Sequence, residues 1–197
     1  MPLKKLLITG FDPFGGAGVN PSWECVRSLA DTVGEFELHK LQLQTVYGKA
    51  AELAIAEAER IGADAILCVG LAGGRKNVTP EAVGINVRDA EIADNEGKKE
   101  NGTPVIEGGE AACFSTIPAK DIAVKLRAKG FPCAVSYSAG TFVCNDLLYT
   151  LLRRYKDTDK KVGFVHVPYF PGQAPEGEPF LEKEETVRIL EEIIKLI

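Results

Sequence analysis

Two histidines, one tryptophan and one methionine are spread over 197 residues. Any reaction that needs an imidazole therefore has only His39 or His166 to draw on. Basic residues are outnumbered: 23 Lys and Arg against 28 Asp and Glu leave a net charge of −5. That balance argues against nucleic acid or an anionic membrane surface as the main partner. No stretch approaches the ~20 apolar residues of a spanning helix. The apolar run within Met1–Thr9, behind Lys4 and Lys5, is shorter than a signal peptide requires. The five cysteines form no Cys-x-x-Cys pair, and an odd number without such pairs fits neither a disulfide framework nor a zinc ribbon. With two distant histidines, no metal-ligand cluster is expected. The glycine-rich loops match neither Gly-x-Gly-x-x-Gly nor the Walker pattern, so no nucleotide cofactor is expected. These absences point to a cytoplasmic protein working without a metal or cofactor.

What is present suffices for a sizeable core. At 45% hydrophobic residues, 197 residues are expected to form one domain, 1–197. Leu3 to Thr9 reads as a buried strand, followed by Gly10-Phe11-Asp12-Pro13-Phe14-Gly15-Gly16. Asn20-Pro21 is a helix start, with Trp23, Val26, Leu29 and Val33 on one face and Gly34 as the stop. Phe36 to Val46 reads as a strand carrying His39 on a polar face, and Lys49 to Ile61 as a helix closed by Gly62. Ala63 to Val69 is a second buried strand, ending in Gly70-Leu71-Ala72-Gly73-Gly74-Arg75. A polar, glycine-rich excursion covers Asp94 to Glu110, with hairpin chemistry at Asn101-Gly102. Pro118 to Lys129 is helical, Cys133 to Tyr137 and Val162 to Pro168 are strand-like, and Glu182 to Ile197 is an amphipathic helix. Strands alternating with helices imply a three-layer α/β/α sandwich with a largely parallel twisted sheet.

Chemistry concentrates between Ser138 and Tyr155. Ala139-Gly140 allow a turn, Asn145 and Asp146 are good N-cap residues, and Leu147, Leu148, Leu151, Leu152 and Tyr155 follow at helical spacing. Cys144 therefore falls at a helix N-terminus, where unpaired N–H groups and the dipole favour a thiolate. Cys25, Cys68, Cys113 and Cys133 read as ordinary packing residues. A cysteine nucleophile needs a base. His166 ends a strand at Pro168, where pairing must lapse, while His39 lies on a polar edge. In an open α/β sheet, ligands bind at strand C-termini, which would gather Phe11, Phe14, the 70–75 loop, Cys144 and His166 on one rim. The residues by themselves support acyl transfer by a Cys–His pair, with Glu81 the weakest member and the substrate open.

Five collinear motifs carry a resemblance. They are Gly10–Gly16 with Asn20-Pro21-Ser22-Trp23, Gly70-x-Ala72-Gly73-Gly74-Arg75 with Pro80-Glu81, Asp94–Gly97, Ala139–Asn145, and Gly163–Tyr169. In these the chain resembles the pyroglutamyl peptidase I (pyrrolidone-carboxylate peptidase) family of cysteine peptidases. The resemblance implies removal of an N-terminal pyroglutamyl residue from peptides. It implies Cys144 as nucleophile, His166 as general base and acid, and Glu81 as the group orienting the imidazole. It implies a flat apolar slot from Phe11 and Phe14, with Leu71 beside it and Ile92, Phe142 and Val143 as further walls. A homo-oligomer, dimer or tetramer, is implied as well. Leu71, Gly84, Glu91 and Tyr137 stand where family members often carry glutamine, alanine, arginine and asparagine. Glu91 is expected to bear on the Cys144–His166 equilibrium through its charge. The rival expectations are another cysteine amidase or thioesterase on the same scaffold, or a non-catalytic module holding a phosphate-bearing ligand.

Overall fold

The computed structural model describes residues 2–197. In chain order the elements are β1 (Lys4–Phe11), α1 (Pro21–Ser28), β2 (Thr32–Val33), β3 (Phe36–Leu43), α2 (Lys49–Ile61), β4 (Ala65–Leu71) and β5 (Thr79–Pro80). They continue with β6 (Val83–Ile85), β7 (Ala112–Phe114), α3 (Ala119–Ala128), α4 (Val143–Arg154), β8 (Lys161–Val167) and α5 (Lys183–Ile194). The main sheet has the order β2-β3-β1-β4-β8-β5. Its four inner strands run parallel, and the two short edge strands are antiparallel to their neighbours. The mixed α/β architecture and the largely parallel sheet are as the sequence pattern predicts.

Period-two alternation sorts the core into two layers. On one face Leu6, Ile8, Leu67, Val69, Val165 and Val167 pack with residues of α1, α3 and α5. On the other, Leu7, Ile66, Cys68, Val162 and Phe164 pack with residues of α2 and α4. Because both faces are covered, β1, β4 and β8 read as continuous apolar runs, as parallel strands do.

Four boundaries differ from the sequence expectation, the first two for a local reason. The first helix stops at Ser28, where Leu29 turns to extended backbone. Val33 then pairs with Phe36 across a two-residue hairpin turn in which Gly34 takes a φ of 59°, so that glycine closes a hairpin and not the helix. Cys133 to Tyr137 forms only single bridges, Cys133 with Val78 and Ser136 with Glu81. Pro80 and Pro132 have no N–H to give, and no continuous ladder forms between these segments. The last helix begins at Lys183, and α4 begins two residues before the expected cap.

Candidate active site

The pleat of β4 and β8 puts the site on one side. Gly70 pairs with His166 in register, and both follow the alternation of Ile66, Cys68 and of Val162, Phe164, so both face the α2/α4 layer. At Gly70 a side chain is excluded. A Cβ there would lie 2.9 Å from Cys144 Sγ and 2.7 Å from the Phe164 ring. That one missing methyl group lets the cysteine and the aromatic ring close over the end of the strand.

Cys144 comes from α4. Phe142 occupies the N-cap position without a side-chain cap bond, Val143 is the first helical residue and Cys144 the second. Cys144 therefore belongs to the first turn, whose N–H groups lack helical acceptors, and its thiol meets its own N–H. Asn145 and Asp146, expected as caps, lie inside that turn and are fully buried. The Asn145 amide donates to the carbonyls of Ile85 and Val87, and its Oδ1 accepts the Ile85 N–H, each at 2.9 Å. Asp146 accepts the Gly48 N–H at 2.8 Å and the Arg88 guanidinium at 2.6 Å. These side chains do not stop the helix at its start; they clamp it to the 85–88 segment and to the start of α2.

Glu81 follows β5 and donates its N–H to the Phe164 carbonyl at 2.8 Å. That places its side chain on the His166 side of the antiparallel pair, and His166 Nδ1 meets Glu81 Oε1 at 2.7 Å. A carboxylate only accepts, so Nδ1 carries the proton and Nε2 is left as the basic nitrogen. Arg75 completes the cluster. Its Nη1 donates to Glu81 Oε1 at 2.7 Å and to Thr79 Oγ1 at 2.6 Å, and its Nη2 donates to the Ser138 carbonyl at 3.0 Å. One guanidinium thus ties the carboxylate to the loop that leads into Cys144.

Protonation follows from burial. Desolvation holds the His166 imidazole below its ordinary value, and the Arg75 charge adds to this, while Glu81 pulls the other way. Burial would raise the Glu81 carboxyl, but the hydrogen bond and charge of His166, with Arg75, hold it low. Desolvation, then the Glu81 charge, push the Cys144 thiol up to about 12. Arg75 and the residue's own N–H oppose that rise without cancelling it. Burial thus works against the thiolate that the helix N-terminus favours, and it favours thiol and neutral imidazole beside an ionised carboxylate.

A cavity of about 260 Å³ opens over Cys144 and His166. Phe11, Phe14, Leu71 and Phe142 line it, as the resemblance implies. Phe14 and Phe142 pack at 6.2 Å between ring centroids, and Tyr47 meets Phe142 edge-on at 5.4 Å. Two implied walls do not line the cavity. Val143 is wholly buried, because the first residue of α4 points into the core, and Ile92 is 50% exposed on the excursion that follows β6. Glu91 beside it is exposed and lies outside the cavity lining too. Arg75 also lines the cavity, within the 70–75 loop that the sequence places on this rim, and so do Asn20, Thr45 and Ala139, to which sequence reasoning gives no part in it. The signal for a role of Arg75 is a cation directly after two glycines in a strand-end loop. His39 is remote in role, a partly exposed strand residue 3.7 Å from Glu37. The described residues contain no cluster of three His, Cys, Asp or Glu side chains arranged to hold a metal ion.

Comparison with known proteins gives consistent matches. The family model described as pyroglutamyl peptidase matches residues 4–196. The chain is 47% identical over 182 residues to a pyrrolidone-carboxylate peptidase of Bacillus mycoides (strain KBAB4), covering 90% of this chain and 85% of the relative. Against the crystal structure of pyroglutamyl peptidase I from Bacillus amyloliquefaciens the TM-score is 0.92 at 40% identity, covering 98% and 96% of the two chains. Against pyrrolidone carboxyl peptidase from Thermococcus litoralis it is 0.93 at 31% identity, covering 98% and 93%.

Proposed function

The chain belongs to the pyroglutamyl peptidase family of cysteine peptidases, and from that premise we propose how its residues 1–197, acting as one domain, release pyroglutamate from peptide N-termini. The observation that carries the assignment of roles is the junction of His166 Nδ1 with Glu81 Oε1 at 2.7 Å beside a cavity that also holds Cys144. The Nε2 of His166 takes the thiol proton as Cys144 attacks the pyroglutamyl carbonyl. General-base delivery is needed because a thiol held near 12 is scarcely ionised at neutral pH. Oxyanion charge falls to N–H groups of the first turn of α4, that of Cys144 included. His166 then gives its proton to the departing amine, and water resolves the thioester by the reverse of the first step. Glu81 holds the tautomer and offsets the imidazolium charge; Arg75 holds Glu81.

Selectivity follows from the walls. A lactam is flat and uncharged and can lie against the packed rings of Phe14 and Phe142, in a cavity that Phe11 and Leu71 also line. A free amino terminus would bring an ammonium group into the same apolar slot and lose its hydration there. No cofactor enters this scheme. Cytoplasmic residence is the reading that five unpaired cysteines support; no helix among the described residues is long and apolar enough to cross a membrane. A homo-oligomer is supported by Phe114 and Tyr137, which are 74% and 60% exposed on one shallow groove. Release of pyroglutamate from a pyroglutamyl peptide by the wild type, lost in Cys144→Ser, is the result expected. Equal turnover of prolyl or simple acyl amides would reassign the enzyme to a broader amidase class.

A further inference from the structure

A second cavity, of about 320 Å³, adjoins the first, and Leu71 lines both. Its other walls are Val19 and Pro21 at the entry to α1, and Tyr169 and Gln173 beyond β8. Strand register fixes its direction from the reacting atoms. Gly70 pairs with His166 and Leu71 with Val167, so Leu71 stands one step beyond the imidazole along β8. By alternation it faces the α1 layer, where Val69 and Val167 also point. The first cavity, with Phe14 and Phe142, lies on the α4 side of the same rim. A substrate whose lactam fills the aromatic slot has its scissile bond over Cys144 and His166. Because His166 must protonate the departing nitrogen, the leaving residue passes the imidazole at the strand ends, and across Leu71 from the first cavity lies the second.

Resting on the peptidase reading above, we propose that this second cavity is the subsite for the side chain of the residue that follows pyroglutamate, and that it selects an apolar one. None of the residues lining it is charged. Val19 presents an apolar side chain 45% exposed at its mouth, with Leu71 and Tyr169 behind. The wall is built in advance of any ligand. Tyr169 lies so close to Gly73 that a Cβ at Gly73 would meet its ring at 2.6 Å. Its carbonyl accepts the Leu181 N–H at 2.9 Å, and it bridges to Phe180. Such fixed apolar walls favour leucine or phenylalanine over glycine by contact area. They disfavour aspartate, which would lose its hydration against a wall that offers no cation and whose only polar side chains are Tyr169 and Gln173.

The test is kcat/KM on pyroglutamyl dipeptide amides whose second residue is Gly, Leu, Phe or Asp, in wild type, Val19→Ser and Val19→Glu. Each preparation supplies its own ratio, so a partly misfolded variant cannot distort the answer. Wild type is expected to prefer Leu over Gly by roughly tenfold and over Asp by more. Val19→Ser should shrink the Leu:Gly ratio several-fold, and Val19→Glu should also lower Asp further relative to Gly. A flat profile in wild type, or ratios untouched by both changes, overturns the subsite while leaving the peptidase reading standing. Failure to cleave any pyroglutamyl substrate brings both down.

Discussion

On one face of the sheet, α1, α3 and α5 pack over Ile8, Val69 and Val167. On the other, α2 and α4 cover Leu7, Cys68 and Phe164 by the same alternation, but the last positions are Gly70 and His166. The two faces share strands, period and burial; they differ at two side chains, and there the covered layer gives way to a cavity. Two cysteines on the reactive face sharpen the contrast. Burial pushes both Cys68 and Cys144 up to about 12. Cys68 is sealed beneath the core and Cys144 opens on the cavity with an imidazole beside it. Acidity does not separate nucleophile from packing residue here. Access and a base do.

The strongest way to break the contrast is to exchange the chemistry of the two cysteines. Cys144→Ser is expected to lower kcat/KM on a pyroglutamyl amide by roughly ten-thousandfold or more, measured against Cys68→Ala, which should keep the activity of its folded fraction. Equal losses would make both cysteines structural. Next in size, Glu81→Gln should cost roughly a thousandfold by analogy with removing the carboxylate of a triad. It also moves the acid limb of the pH profile. Activity rises with pH as His166 loses its proton, at a pKa below the ordinary imidazole value of about 6.5. Glu81 works to raise that pKa, so its loss moves the limb to lower pH still.

Gly70→Ala should cost roughly a hundredfold, because a methyl 2.9 Å from Cys144 Sγ forces the sulfur or the Phe164 ring aside. Val69→Ala, one residue earlier on the opposite face, should lower stability by about 1–3 kcal/mol with kcat/KM unchanged. Urea denaturation and kinetics on the two variants would settle whether the faces are as separate as their packing. Arg75→Gln has the smallest expected effect, a loss of roughly tenfold. Its signature is direction. Arg75 helps to lower the His166 pKa, so its removal moves the acid limb upward, opposite to Glu81→Gln. A shift in the same direction for both would count against the bridging role of the guanidinium.

Much of the site was readable along the chain because its parts sit at strand and helix ends marked by local signals. Cys144 follows a small-residue turn and precedes a leucine-spaced helix, and His166 precedes a proline that ends a strand. Asn145 and Asp146 misled for a physical reason. Residues that cap helices are also those that satisfy buried backbone groups at a distance, and here the second use prevailed. Val143 and Ile92, which only the resemblance implies as walls, lie outside the cavity lining, and the direction of a side chain on the first turn of a helix or on a loop is not written in the residues beside it. Arg75 went unassigned since its partners, Thr79, Glu81 and Ser138, become neighbours only when β5 folds against β8.

Local order on the chain determined that apolar runs of period two and 3.6 would alternate, and hence that a parallel sheet would lie between helices. It also determined that one sulfur and one imidazole would stand at element ends. Register was decided by tertiary structure alone. Which strand lies beside which fixes that Gly70 faces His166, that Glu81 reaches Nδ1, and that burial works against the charged forms of Cys144 and His166. Those are properties of desolvation and of hydrogen bonds between residues up to 85 positions apart, and no window along the sequence contains them.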